Sequence, residues 1–258
     1  MMRSEQFEAD LEVFRTEVEA GTQFLYAYLA VHAVAGDHES VYELLNRAPL
    51  FWNTVLGALQ TATFIALGRV FDQNSAHNLD RLLKAAQDNP HIFSTSELGK
   101  RKQGAQPEAP IWLPGYLRQS YSPDPRDFRR LRAHTRKWRR IYETSYRGVR
   151  DKLFAHKEAS TPTEVDGLFE NTNIRELQRL FVFLRALYGA LLQLFINGEK
   201  PRLRPGRYSV TRMRHHPTPR SWSTGVQERI THEAEKHLLT AAQHGMQPTA
   251  LKDPKRRG

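Results

Sequence analysis

The stretch that decides the fold is DPRDFRRLRAHTRKWRRIYETSYRGVRDKLFAHK, residues 124–157. Asp124 followed by Pro125 reads as a helix start. A carboxylate accepts the free N–H groups of a first turn, and proline lacks the N–H that the first helical position cannot use. From there Phe128, Leu131, Thr135, Trp138, Tyr142, Ser145, Val149 and Leu153 recur at the spacing of one helix face. The predicted helix reaches residue 155. Its remaining surface is basic, with Arg129, Arg130, Arg132, Arg136, Lys137, Arg139, Arg140 and Arg147 leading toward Arg150.

The same helical spacing extends outward in both directions, with almost no alternation of the kind strands show. A first helix, or a broken pair, is predicted over 5–34, ended by Gly36-Asp37. A second, over 49–71, is apolar nearly all round (Leu50, Phe51, Val55, Leu56, Leu59, Ile65, Leu67), which predicts burial on several sides. A short helix over 78–86 stops at Asn89-Pro90. Residues 93–123, with several prolines and glycines, read as an excursion with little regular structure, mobile around 99–109. A loop at 157–170 leads to an Asn173-capped helix closed by Asn197-Gly198. Beyond it the chain is rich in Arg and Pro, with a hint of a strand at 207–213 and an amphipathic helix over 224–244. The predicted fold is all-α: an antiparallel bundle of about four principal helices over 1–198, and a basic C-terminal extension over 199–258.

Composition narrows the function. An apolar share of 40% in 258 residues supports a packed core. There is no cysteine, which removes disulfides, thiolate nucleophiles and the usual structural zinc sites. Residues 1–11 are mixed in charge, so no secretory signal is expected, and the most apolar run, 181–196, carries Arg185 and is shorter than the roughly 20 residues a bilayer span needs. The expectation is a cytoplasmic protein with no membrane association. A net charge of +10 favours an anionic partner, although solvated basic helix faces account for it as well.

Most motifs fail on inspection. His232-Glu233-Ala234-Glu235-Lys236-His237 has one residue too many for a zinc-binding HExxH helix, so the second histidine is turned by about 140° from the face it would need. His215-His216 has no carboxylate cluster beside it. No P-loop, dinucleotide fingerprint or nucleophile elbow occurs. Neither a metal nor a cofactor is expected. Arg69 and Asp72 are spaced to pair with each other on the second helix. Arg150 and His156 remain. On an ideal α-helix they stand roughly 120° and 9 Å apart, too far to share one phosphate readily. A twofold partner presenting a second such pair would complete a site. The other role open to His156 is that of a helix-end or interface histidine, with Arg150 paired to Asp151 or another surface acid.

The run Arg150-Asp151-Lys152-Leu153-Phe154-Ala155-His156 resembles the R-x(4–6)-H signature of the HEPN superfamily, and its wording is similar to the abortive-infection AbiU-like branch. Ala66-Leu67-Gly68-Arg69-Val70-Phe71-Asp72 resembles an earlier segment of that branch. The resemblance covers about residues 5–198. It implies a homodimer with two Arg–His pairs in an interface cleft, and a metal-independent endoribonuclease that uses the ribose 2′-hydroxyl as nucleophile. Carried over, Arg150 clamps phosphate, His156 moves a proton or orients the hydroxyl, and Asp151 orients one of them. RNA would be guided by Arg136, Arg139, Arg140, Arg147, Lys152 and Lys157, with Tyr146 placed to stack a base. Such a protein would be a toxin or phage-defence effector, with an antitoxin as a further partner. A non-catalytic HEPN-like dimer that binds RNA or protein is the other reading.

Overall fold

The structure is a computed structural model that describes residues 3–75, 78–155, 161, 170, 172–204, 206–216 and 225–245. Among these residues it is all-helical, with no strand. Two compact units can be separated: Met1–Phe24 with Thr61–Ser209, and Leu25–Gln60 with Val210–Gly258. Helices α1 (Ser4–Asp37) and α3 (Pro49–Phe71) each contribute to both.

The first unit holds the candidate site. Its principal helices are α1, the end of α3, α7 (Pro125–Ile141) and α8 (Ile174–Asn197). Their directions follow from who meets whom. Phe7 of α1 meets the Phe195 ring near the end of α8 at a tilt, and Gly21 of α1 faces Phe181 nearer its start. Arg69 pairs with Glu17, and Ala66 lies against Gly21, so α3 runs back along α1. The Tyr121 N–H donates to Gly198 O just before α7 begins, while Tyr146 beyond its end bonds to Asn173 at the start of α8. Each neighbour in this set is therefore antiparallel. Phe7, Phe93, Phe128, Leu131, Phe181, Leu187 and Phe195 fill the centre at 2% exposure or less, which is the main favourable contribution to folding here.

The predicted helix ends hold. The Asp124 side chain accepts from Arg126 N–H at 2.6 Å, and Asp127 answers with a bond from Asp124 N–H, forming a capping box. Asn173 caps α8 by accepting from Arg175 N–H and Glu176 N–H. Gly198 closes α8 with φ +58°, a left-handed turn that only glycine adopts without strain.

Three expectations are corrected. The excursion at 93–123 is mostly helical: after α4 (Leu79–Asp88) and a 3-10 turn (Pro90–Phe93) come α5 (Thr95–Gln103) and α6 (Leu113–Gln119). Tertiary anchoring overrides the polar sequence. Arg101 lays its guanidinium 4.1 Å over the Phe195 ring and donates to Phe195 O and Ile92 O. The strand hinted at in 207–213 is instead a short helix, α9 (Val210–His215). Finally, α3 is buried only over its second half. Leu50 is 82% and Phe51 60% exposed, so the apolar circumference of its first half is only partly covered, by the packing of Trp52 and Leu56 against the core of the second unit.

Two helices, α3 and α8, are long and apolar enough to cross a bilayer by length and composition. Half of the most apolar window of α8 is buried inside the protein, as befits a core helix. In the second unit, α10 (Val226–Gly245) packs on α2 (Glu39–Asn46). There the buried Arg214 guanidinium binds Asp37 at 2.7 Å and Glu235 at 2.9 Å, and His232 Nε2 is 3.0 Å from Met213 O. The sequence boundary expected after residue 198 differs from this division, which leaves 199–209 with the first unit.

Candidate functional site

The site begins at the end of α3, where Gly68 and Asp72 lie four residues apart and so share a helix face. The Arg150 side chain lies directly on Gly68: a β-carbon there would stand 2.9 Å from Arg150 Cδ and 3.0 Å from Nε and Nη1. Its Nη2 donates to Asp72 Oδ2. On its other flank, Arg150 Nε is 2.8 Å from Asp151 Oδ1, but the N–H does not point at that oxygen, and both atoms are buried without an aligned hydrogen bond among the described residues. Asp151 Oδ2 in turn accepts a long bond from Arg147 Nε at 3.4 Å. Beneath them the Tyr142 ring stacks on Phe71 at 5.3 Å, its buried hydroxyl without a hydrogen bond among the described residues.

The backbone carrying these groups is not a plain α-helix, which corrects the predicted uniform helix to 155. After Ile141 the chain widens into a π-helical turn, Tyr142–Tyr146, where Arg147 N–H bonds to Tyr142 O five residues back. A single α turn follows (Arg147–Val149), then a second π segment, Arg150–Ala155. Such bulges are uncommon and recur at functional sites because they re-aim side chains. The α-helical phase used to separate Arg150 from His156 therefore does not apply. Phe154 anchors the segment by stacking on Phe64 of α3 at 5.1 Å.

Electrostatics follows from burial. Removal from water works against the Arg150 charge, yet Tyr142, Asp72 and Asp151 outweigh it and hold its pKa above the ordinary value. Burial pushes the Tyr142 phenol well above its usual range, partly offset by Arg150. Arg147, Arg150, Asp72 and Asp151 balance in charge, and the Arg150 side chain is only 18% exposed. This is an ordered, neutralised guanidinium in place of a freely moving one.

The model of the HEPN AbiU2 family matches residues 4–217. The chain belongs to that family. No curated protein and no solved structure matches it. The match reaches past residue 198, so in this AbiU2-family protein the Arg- and Pro-rich stretch to 217 belongs with the family region as well.

Within the AbiU2-family chain, the structure brings Arg150 and Asp151 together and adds three residues that the sequence reading did not assign: Gly68, Asp72 as the Arg150 partner, and Tyr142. The signal was the four-residue spacing of Gly68 and Asp72. The expected Arg69–Asp72 pair does not form; Arg69 is exposed and reaches Glu17 at 3.2 Å, while Asp72 is taken by Arg150. Tyr146 is corrected too. It is fully buried, donating to Asn173 O at 2.8 Å and lying 3.2 Å from Glu176 Oε2, so it cannot stack a base. Arg139 is drawn off the expected basic face by an ion pair with Asp80 that ties α7 to α4. Arg136, Arg140, Arg147 and Lys152 are exposed. His156 and Lys157 lie outside the described residues. No group of three or more metal-ligating side chains occurs among the described residues.

Proposed function

We propose that the protein is a metal-independent endoribonuclease of HEPN type, acting as a cytoplasmic homodimer in abortive infection, as a toxin or phage-defence effector. The observation that carries this reading is Arg150 of the family motif, held on Gly68 between two carboxylates at a π-helical distortion. A guanidinium fixed in this way loses little further freedom when it meets a phosphate, and its charge persists at any working pH. In the proposed step the ribose 2′-oxygen attacks the adjacent phosphorus. The 2′-hydroxyl gives up its proton, and the 5′-oxygen leaves with one. His156 is suited to moving these protons near neutral pH, and Arg150 to stabilising the charge gathering on phosphorus. Asp72 and Asp151 act as positioning residues.

The test is cleavage of unstructured RNA in excess EDTA. A 2′,3′-cyclic phosphate on the 5′ fragment, lost in His156→Ala with folding and RNA affinity retained, is the expected result. A strict divalent-metal requirement would refute the mechanism. Sedimentation should give a dimer; a monomer alone would refute the paired site.

A second reading has its own support. Because Asp72 and Asp151 already neutralise Arg150, a phosphate must compete with them, as it would in a non-catalytic homodimer that binds RNA or a protein such as an antitoxin. Folded, RNA-binding protein that never cleaves is the outcome that reading expects.

A further inference from the structure

At the far end of α8 lies a feature the family motif does not involve. Residues from α5, α6, the end of α8 and the strand-free stretch after Gly198 enclose an open cleft of about 750 Å³. Lys102, Lys200, Arg202 and Arg204 face it, with Glu199 the one carboxylate among its lining residues. A smaller hollow of about 220 Å³ shares Glu199, Lys200, Arg202 and Arg204. Glu199 reaches Arg204 at 3.7 Å, while Lys200 and Arg202 are exposed and have no ion pair with an acid among the described residues.

The end of a helix normally repels anions through its unpaired carbonyls. Here most of those carbonyls are already engaged. Gln193 O accepts from Glu199 N–H, Leu194 O from Gly198 N–H, Phe195 O from Arg101, Asn197 O from the Tyr116 hydroxyl, and Gly198 O from Tyr121 N–H. The cationic side chains therefore dominate the local field. Aromatic rings sit among them. Lys102 Nζ lies 5.2 Å above the Tyr116 ring, and Lys200 Nζ 5.4 Å above Tyr121. Against Tyr116 stands Trp112, edge to face at 5.7 Å and 54% exposed, beside the fully exposed Ile111. Trp112 is not itself a lining residue, but it neighbours the lining Tyr116, and its half-exposed indole leaves surface open to a base. The pairing of stacking surface and phosphate-binding cations is how proteins grip single strands without reading sequence.

We propose that this cleft is a second binding site, for a nucleotide unit of single-stranded RNA, with backbone phosphate at Lys200 and Arg202 and a base stacked on Trp112. It rests on the proposed function only for the kind of strand. The stretch of α8 from Glu176, beside Tyr146, to Asn197 is roughly 30 Å long at 1.5 Å per residue, so the cleft grips RNA well away from the Arg150 segment.

The test uses a fluorescent 2′-O-methyl oligouridine dodecamer, which offers no 2′-hydroxyl for attack, so binding is read whether or not the protein cleaves. Anisotropy titration of the full chain at several salt concentrations compares wild type with Lys200→Ala/Arg202→Ala and with Trp112→Ala. All three side chains are exposed, and a thermal melt confirms folding. The double variant should bind about tenfold more weakly and lower the salt slope by roughly 1.4, the value for two lost phosphate contacts on a single strand. Trp112→Ala should bind at least about fivefold more weakly with the slope kept, as loss of one stacked base predicts. Wild-type affinity in either variant overturns the proposal. So does uridine monophosphate binding as tightly as the dodecamer, or polyglutamate competing as well as RNA, which would give the cleft to a free nucleotide or an acidic protein. A protein that binds through the cleft yet never cuts unmodified RNA refutes the nuclease reading and leaves this site standing.

Discussion

Arg150 reaches back 78 residues along the sequence to donate to Asp72, and it does so across the bare backbone of Gly68. The pair joins the π-helical segment to the end of α3, so the motif arginine takes its position from an element remote in the chain.

Gly68→Ala separates position from stability. Alanine gains about 1 kcal/mol of helix propensity, and displacing Arg150 costs a comparable amount, about 1–3 kcal/mol for mild overpacking. The melting temperature should shift by only a few degrees while RNA cleavage falls at least about tenfold. Unchanged cleavage would mean that the position of Arg150 is irrelevant.

The Arg150–Asp72 contact can be read with a double-mutant cycle in urea. Both side chains are largely but not fully shielded, so each alanine variant alone should lose about 1–2 kcal/mol, and the double variant less than their sum. Strict additivity would mean that the contact contributes nothing.

Tyr142 and Tyr146 are both buried, yet their hydroxyls predict opposite outcomes. Tyr142→Phe removes a hydroxyl with no hydrogen bond among the described residues and should be neutral or stabilising by about 1 kcal/mol, whereas Tyr146→Phe breaks bonds at the start of α8 and should cost about 1 kcal/mol. Burial raises both phenol pKa values in the folded state. Their contribution is thus whole below the ordinary tyrosine value of about 10 and is lost as pH rises beyond it toward the folded value. Alkaline unfolding should soften in Tyr142→Phe; an identical alkaline limb would refute this.

The basic face divides by burial. Arg136→Ala with Arg140→Ala should weaken RNA binding and lower the salt slope by up to about 1.4 for a single strand, with cleavage at saturation little changed. Arg139→Ala should instead lower stability by about 1 kcal/mol, because its guanidinium is held by Asp80, and leave the slope alone. Equal effects on RNA affinity from the two variants would show that the burial of Arg139 is irrelevant to binding.

What the sequence made legible was local. Asp124, Asn173 and Gly198 cap helices by chemistry confined to a few neighbouring residues, and the stripe from Phe128 to Leu131 to Thr135 follows one face. What it hid depends on distant partners. Arg101 lies in a polar run whose order comes from the Phe195 ring and carbonyl. Tyr146 looks like a surface aromatic until its α8 neighbours are known. The widened turns at 142–146 and 150–155 leave no mark in hydrophobic periodicity, because several buried rings there fit either pitch. Spacing alone pairs Asp72 with Arg69, since nothing local announces an arginine arriving from elsewhere.

A π turn holds one residue more than an α turn closes over, and that makes residue count a property of the site. Losing a single codon within 142–146 would only return that turn to ordinary pitch. Losing one from the α-helical run before it, where nothing absorbs the change, would turn everything downstream by about 100° and draw it back about 1.5 Å. Arg150, Asp151 and His156 would all survive in order, and the motif would still read correctly in the gene. Arg150 would nonetheless swing off Gly68 and lose Asp72. In such a lineage the spelling of the motif would outlast its geometry, so a relative is better judged by the helical phase of the run leading into the arginine than by the presence of the arginine itself.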